Sequence, residues 1–139
     1  MALNESERQA FLAEPHLAAL AVDAGPGRAP LTVPIWYDYT PGGDVEFLTA
    51  GDSRKTGLIE RAGRLSLLVQ RDTPTYRYVS VEGPVVRREP STVEFMKRLA
   101  GRYMMPEDVP GYVEGSDLSA YVTFHMRPAR WLSADLGAF

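Results

Sequence analysis

The sequence predicts a small, mostly β protein, an antiparallel barrel of six to seven strands joined by short helices. Three observations predict it. Apolar, β-branched and aromatic residues fall in runs of strand length. Glycine and proline groups such as Gly25-Pro26-Gly27, Pro41-Gly42-Gly43 and Gly83-Pro84 stand between or inside those runs, where they turn or kink a chain. A chain of 139 residues without a cysteine suits one domain, here residues 1–139, and buries about two thirds of its unfolded surface, so that neither disulfides nor metals are needed to fold it.

Residues 4–13 read as a short helix capped by Ser6 and ended by Pro15, with Ala10, Phe11 and Leu12 on its apolar face. Leu17 to Val22 has the length of a buried strand. Leu31 to Tyr39 is its hairpin return, and Pro34 inside it implies an edge position or a bulge. After the turn at residues 41–44 comes a strand from Val45 to Thr49. Ser53 to Arg61 is a helix with Ser53 as its cap. Leu65 to Val69 is a strand, and Tyr76 to Val86 a longer one, alternating through Tyr76, Tyr78, Ser80 and Glu82 and kinked at Gly83-Pro84 as by a bulge. Ser91-Thr92-Val93-Glu94 has the capping-box pattern. The helix behind it runs to about Tyr103, with Val93, Met96, Leu99 and Ala100 on one face. Residues 106–116 read as a loop, Tyr121 to Met126 as a strand and Ala129 to Leu132 as the last one.

Composition excludes several function classes. The net charge is −3, whereas a general nucleic-acid binder carries a basic excess. Without cysteine there is no zinc ribbon, iron–sulfur cluster or thiol nucleophile. Met1 to Ala10 lacks the apolar run of a signal peptide, and no apolar stretch approaches the roughly 18 residues of a membrane span, so a cytoplasmic protein without a membrane partner is expected. His16 and His125 stand in no metal-ligand pattern. No Gly-x-Ser-x-Gly elbow occurs, and no two carboxylates are paired in sequence. With no catalytic side chain assigned, a borrowed cofactor must carry any reaction.

The informative segment is Thr49-Ala50-Gly51-Asp52-Ser53-Arg54-Lys55-Thr56. A strand ends, glycine turns the chain, and a helix starts with two cations in its first turn. The N-terminus of a helix already carries positive partial charge and unpartnered N–H groups. A phosphate answers both. Arg54 can grip it through two N–H bonds, Lys55 adds a point charge, and Ser53 and Thr56 add hydroxyls. The alternative is a solvated surface pair. Three weaker features have packing explanations: Thr32-Val33-Pro34-Ile35-Trp36-Tyr37, where proline frees backbone groups but an edge strand with core aromatics is the better reading taken alone; Tyr76-Arg77-Tyr78, two aromatics on one strand face with Arg77 on the other, which sheet packing explains equally well; and Arg130-Trp131, where Trp131 reads as core more readily than as a ligand contact.

In order along the chain, His16-Leu17-Ala18-x-Leu20-Ala21, the Gly27-Arg28 turn, Thr32 to Tyr37, Phe47-Leu48-Thr49, Ser53-Arg54-Lys55-Thr56, Leu65-Ser66-Leu67-x-Val69 and Tyr76 to Gly83 together resemble the pyridoxamine 5′-phosphate oxidase-like split β-barrel superfamily. Within it the series is most similar to the actinobacterial deazaflavin-dependent reductases that use coenzyme F-420. The likeness covers residues 6 to about 88. It implies a split β-barrel of the flavin-binding type and a homodimer with the cofactor at the subunit interface. It implies that Ser53, Arg54 and Lys55 hold the cofactor phosphate, that Thr32, Val33, Pro34, Ile35 and Trp36 run along the isoalloxazine-type ring with Thr49 nearby, and that Tyr76 and Tyr78 line the site. The implied reaction is hydride transfer from the reduced deazaflavin to a small unsaturated substrate, with Tyr37 and Tyr78 as the nearest proton donors. Alternatives on the same fold are an FMN-dependent oxidase or reductase and a non-catalytic binder of flavin, deazaflavin or haem. Members of the group often carry Arg-Asn-Leu after the Lys-Thr pair, whereas this chain has Gly57-Leu58-Ile59. The substrate site at the C-terminus of true pyridoxamine phosphate oxidases is not recognisable in this sequence, and no vitamin B6 synthesis is expected.

Overall fold

The computed structural model describes residues 1–137. In chain order it contains α1 (Glu5–Ala13), β1 (Ala18–Val22), β2 (Leu31–Ile35), β3 (Asp38–Tyr39), β4 (Val45–Ala50), α2 (Arg54–Ala62), β5 (Arg64–Arg71), β6 (Arg77–Pro90), α3 (Val93–Tyr103), α4 (Val109–Glu114), β7 (Tyr121–Met126) and β8 (Arg130–Asp135). There are thus eight strands and four helices among the described residues, against the six to seven and two to three expected. None of these helices is long and apolar enough to cross a membrane.

All pairings are antiparallel, and two sheets share β6. The first half of β6 pairs with β5 and β8, and β5 continues to β1 and β2; the second half pairs with β7, which continues to β4 and β3. The register of β6 shifts between Val85 and Arg87, directly after Gly83-Pro84. The bend expected there is what passes one strand from sheet to sheet. Pro34 lies on the edge strand β2, where its missing N–H costs no ladder bond.

The inward faces of both sheets close on one core. Phe11, Leu12, Leu20, Tyr37, Phe47, Ile59, Leu67, Phe124 and Met126 are all fully buried in it. The periodicity of two decides which residues enter: Val79 and Val81 are buried, while Tyr76, Tyr78, Ser80 and Glu82 face outward.

Several local expectations change. The cap of α1 is Asn4, not Ser6: Asn4 accepts from the Glu7 N–H at 2.8 Å and Glu7 accepts from the Asn4 N–H at 3.1 Å, which makes a true capping box. At α3 the expected box does not form. Thr92 is the cap, and the Ser91 hydroxyl bonds Thr123 at 2.8 Å instead. Val93 is exposed, and Phe95 takes its place beside Met96, Leu99 and Ala100. The expected strand from Leu31 to Tyr39 is two strands serving different sheets. The expected loop at 106–116 holds a 3₁₀ turn, Pro106–Asp108, and α4. Proline at a first helical turn loses no bond, which reconciles Pro106 and Pro110 with helix.

One buried residue, Asp135, joins the last strand to Met1 through its backbone and to residues 75 and 77 through its carboxylate. Asp135, 2% exposed, accepts from the Thr75 hydroxyl at 2.7 Å, Arg77 Nε at 2.9 Å and the Gly137 N–H at 3.0 Å. Its backbone carbonyl takes the N-terminal ammonium of Met1 at 2.9 Å. The Thr75 bond, then those of Arg77 and Gly137, hold its carboxyl at about 2 against burial, below the ordinary 3.8. A depressed carboxylate stabilises the fold fully above the unfolded value and loses that contribution as pH falls through the folded one. Urea midpoints measured from pH 6 to pH 2 are therefore expected to drop below about pH 4. Asp135→Asn flattens that acid limb; an unchanged limb means that other carboxylates govern it.

Candidate anion and cofactor site

The segment from Thr49 to Thr56 folds as a strand end, a turn and a helix start. Gly51 N–H donates to Ala120 O and Ser53 N–H to Ala50 O, which brings Ser53 to the N-cap of α2. The Ser53 hydroxyl accepts from the Thr56 N–H at 3.2 Å, and Gly57 N–H closes the first turn on Ser53 O. Among the described residues, the N–H groups of Arg54 and Lys55 meet no acceptor. No acid lies in the first turn of α2. No carboxylate lies within 4 Å of either cation among the described residues. Burial pushes the Lys55 ammonium below its ordinary value, since no opposite charge offsets the lost hydration. Two N–H groups and two cations therefore share the positive first turn of α2 without a counter-ion among the described residues, a donor set that fits a phosphate.

The hydroxyls behave differently from expectation. Thr56 is 1% exposed, and its hydroxyl donates inward to Ala50 O at 2.6 Å. Ser53 bonds the Thr56 hydroxyl at 2.9 Å, with Thr49 Oγ1 at 3.5 Å. Thr49 is buried as well. The three form a polar knot that anchors the start of α2 to the end of β4. Thr56 is thereby removed as an anion donor.

Along β2 only Thr32 and Pro34 face outward; Ile35 is buried and Val33 packs on the core. Trp36 follows the strand and stacks on Tyr103, centroids 4.9 Å apart and 6° from parallel, with Tyr112 of α4 at 6.0 Å. Sequence reading did not find Tyr103 and Tyr112 here, because α3 and α4 reach Trp36 only through the tertiary fold. Tyr78 and Tyr76 lie on the outward face of the first sheet, ring centroids 6.4 Å apart. Tyr76 sits just before β6, and its hydroxyl donates to Gln70 at 2.9 Å. Arg77 points to the opposite face, toward Asp135 and Phe11.

Tyr37 is not placed to give up a proton. It is fully buried, and its hydroxyl donates to Leu12 O at 2.6 Å and Glu14 O at 3.0 Å. Desolvation pushes its ionisation far above the ordinary phenol range. It staples α1 to the barrel. His16 bonds Phe11 O at 2.9 Å, and His125 lies between Glu46 and Glu89; no group of three metal-binding side chains occurs among the described residues.

No family model matches the chain, and no curated protein matches it. Solved structures do. An F-420 reductase superimposes with a TM-score of 0.73 at 22% identity, over 89% of this chain and 94% of its own. A FAD-binding protein from Mesorhizobium loti reaches 0.69 at 17%, over 97% and 95%. A Listeria innocua protein named for pyridoxamine 5′-phosphate oxidase reaches 0.66 at 14%, over 96% and 98%. The chain has the pyridoxamine 5′-phosphate oxidase-like split β-barrel fold.

Proposed function

We propose that this chain is an oxidoreductase that binds a phosphate-bearing, flavin-type cofactor, coenzyme F-420 in the first place, and reduces a small unsaturated substrate with it. The observation that carries the reading is the uncompensated start of α2: Arg54 and Lys55, with their own N–H groups, face no anion among the described residues. When bound, the reduced deazaflavin supplies a hydride. Arg54 and Lys55, with their own N–H groups, hold the phosphate, and Ser53, whose hydroxyl proton goes to Thr56, sets the N-cap that presents them. Thr32 and Pro34 offer the outward face of β2 to the ring, and Trp36, braced by Tyr103, closes its end. The likeness to an F-420 reductase supports this choice. The likeness to a FAD-binding protein supports a flavin in place of the deazaflavin, and the Gly57-Leu58-Ile59 departure bears on that choice; FMN is the second reading.

A second copy of the chain completes the site in this proposal. Leu17, Leu68, Tyr76 and Leu132 are 64%, 36%, 41% and 64% exposed. The last three lie on or beside the outward face of the first sheet, around the small residues Ala19, Ala21, Ser66 and Ser80. An open apolar face of this kind marks a contact surface. Covering it with a partner excludes water from the ring, which a hydride donor requires.

Titration of the apo-protein with F-420 and with FMN, followed by fluorescence, tests the cofactor. Micromolar binding of F-420 and weaker binding of FMN is the expected result, and the reverse preference moves the assignment to the flavin. Dissociation constants above about 100 μM for both overturn the reading. Sedimentation in the same samples is expected to show a dimer; a monomer that binds cofactor tightly removes the shared site.

A further inference from the structure

We propose that the barrel mouth beneath α1 is a second ligand site, built from Arg8, Tyr39, Arg127 and Trp131, for a small planar carboxylate. None of these residues belongs to β2 or α2. They surround a cleft of about 320 Å³ between α1, the β3–β4 turn and the β7–β8 connection. That is the size and the place in which barrels hold small ligands.

Glu5 and Asp44 line this cleft as well, and beside them stand three donors, of Arg8, Tyr39 and Arg127, that neither carboxylate meets at hydrogen-bond length. The Arg8 guanidinium lies 4.9 Å from the centroid of the Trp131 ring. Its Nε is buried and meets no acceptor, and no carboxylate lies within 4 Å of Arg8 among the described residues. An aromatic face offsets only part of the cost of a desolvated cation. Tyr39 is 4% exposed. Its hydroxyl accepts from the Gly42 N–H at 3.4 Å, and its own proton has no acceptor among the described residues. Burial raises the Tyr39 ionisation, so the phenol remains a donor. Arg127 reaches Asp44 only at 3.9 Å, beyond hydrogen-bond length.

The ligand chemistry follows from this donor set. Two guanidinium groups and a phenol O–H call for an anion with at least two acceptor oxygens. Glu5 lines the cleft and its charge is felt at Tyr39, but its carboxylate bonds Gln9 at 3.2 Å and comes within hydrogen-bond length of none of the three donors. Trp131 stands edge-on to Tyr39, ring centroids 6.3 Å apart at 65°. Trp131, half-buried, gives the otherwise polar cleft its aromatic wall, which suits a planar body behind the carboxylate. This proposal is independent of the cofactor reading, because it uses no residue of that site.

The test is a calorimetric titration of the whole protein with benzoate and with benzamide, its neutral isostere. Saturable benzoate binding at least about tenfold tighter than benzamide is expected. Arg8→Gln weakens benzoate about tenfold and Tyr39→Phe several-fold, both with unchanged thermal midpoints. In an NMR titration the Trp131 indole N–H shifts more than that of Trp36. Lys55→Ala keeps its benzoate affinity. Equal affinity for the acid and the amide overturns the proposal. So does retention of affinity in both Arg8→Gln and Tyr39→Phe, or loss of affinity in Lys55→Ala alone, which places benzoate at α2. Should Arg8→Gln not fold, the Tyr39→Phe and Lys55→Ala arms decide between the same outcomes.

Discussion

Lys55→Ala is expected to weaken binding of the phosphate-bearing cofactor by roughly 5- to 150-fold, about 1–3 kcal/mol, the range of a single charge-assisted bond. Arg54→Ala falls in the same range, and the double variant loses more than either. The fold changes little in each case, because neither side chain has an ion-pair partner among the described residues to lose. The charge of Lys55 adds a pH signature. Burial holds its pKa below 10.5 in the free chain, and a bound phosphate raises it again. Affinity is therefore full near neutrality and falls as pH rises through the Lys55 value, earlier than for an exposed lysine. Lys55→Arg, charged at every accessible pH, abolishes that fall. Fluorescence titrations from pH 6 to pH 10 read both effects. Wild-type affinity in both alanine variants removes the anion from α2.

Gly83→Ala is expected to destabilise the chain by about 3 kcal/mol or more, and to leave little folded protein if total stability is at the low end of the usual range. A Cβ at Gly83 would stand 1.8 Å from Arg127 O and 2.8 Å from its carbonyl carbon. These are backbone atoms, so no side chain can swing away. The crossing is also bonded on either side of the clash: Arg127 N–H donates to Pro84 O at 2.9 Å and Ala129 N–H to Glu82 O at 2.8 Å. To admit a methyl group the β7–β8 connection must lift off the bend of β6, at the cost of those bonds. Urea unfolding of Gly83→Ala beside Gly101→Ala, whose added Cβ meets nothing within 4 Å, separates this crowding from a general effect of replacing glycine. Equal midpoints in the two variants would show that the crossing yields.

Much of this architecture is legible in the sequence where the cause is local. The turns at Gly25-Pro26-Gly27 and Pro41-Gly42-Gly43, the edge position of Pro34, the bend after Gly83 and the cap at Ser53 each depend on the backbone preferences of a few adjacent residues. The errors have a common origin. Ser91 matches a capping pattern, but Thr123, from a strand 32 residues away, takes its hydroxyl. Leu31 to Tyr39 has continuous β propensity, yet the two sheets divide it at Trp36 and Tyr37, where Tyr37 must turn inward to reach Leu12 and Glu14. Val93 falls in the right helical register but outside the contact that α3 makes.

The candidate site divides along the same line. Two cations in the first turn of a helix after a glycine turn are visible in the sequence, because the electrostatics of a helix end reach only one turn. Whether those cations already had a partner, whether Thr56 was available as a donor, and whether Tyr37 could move a proton depended on groups brought in from other elements. The barrel-mouth cleft is beyond any local reading, since Arg8, Tyr39, Arg127 and Trp131 span most of the chain and meet only after both sheets have closed. The sequence by itself determined the β class, the turn positions and the positive start of α2, which are properties of neighbours along the chain. Only the tertiary structure decided which polar groups are satisfied and which remain open to a ligand, because burial and hydrogen-bond partners are set by residues distant in sequence and close in space.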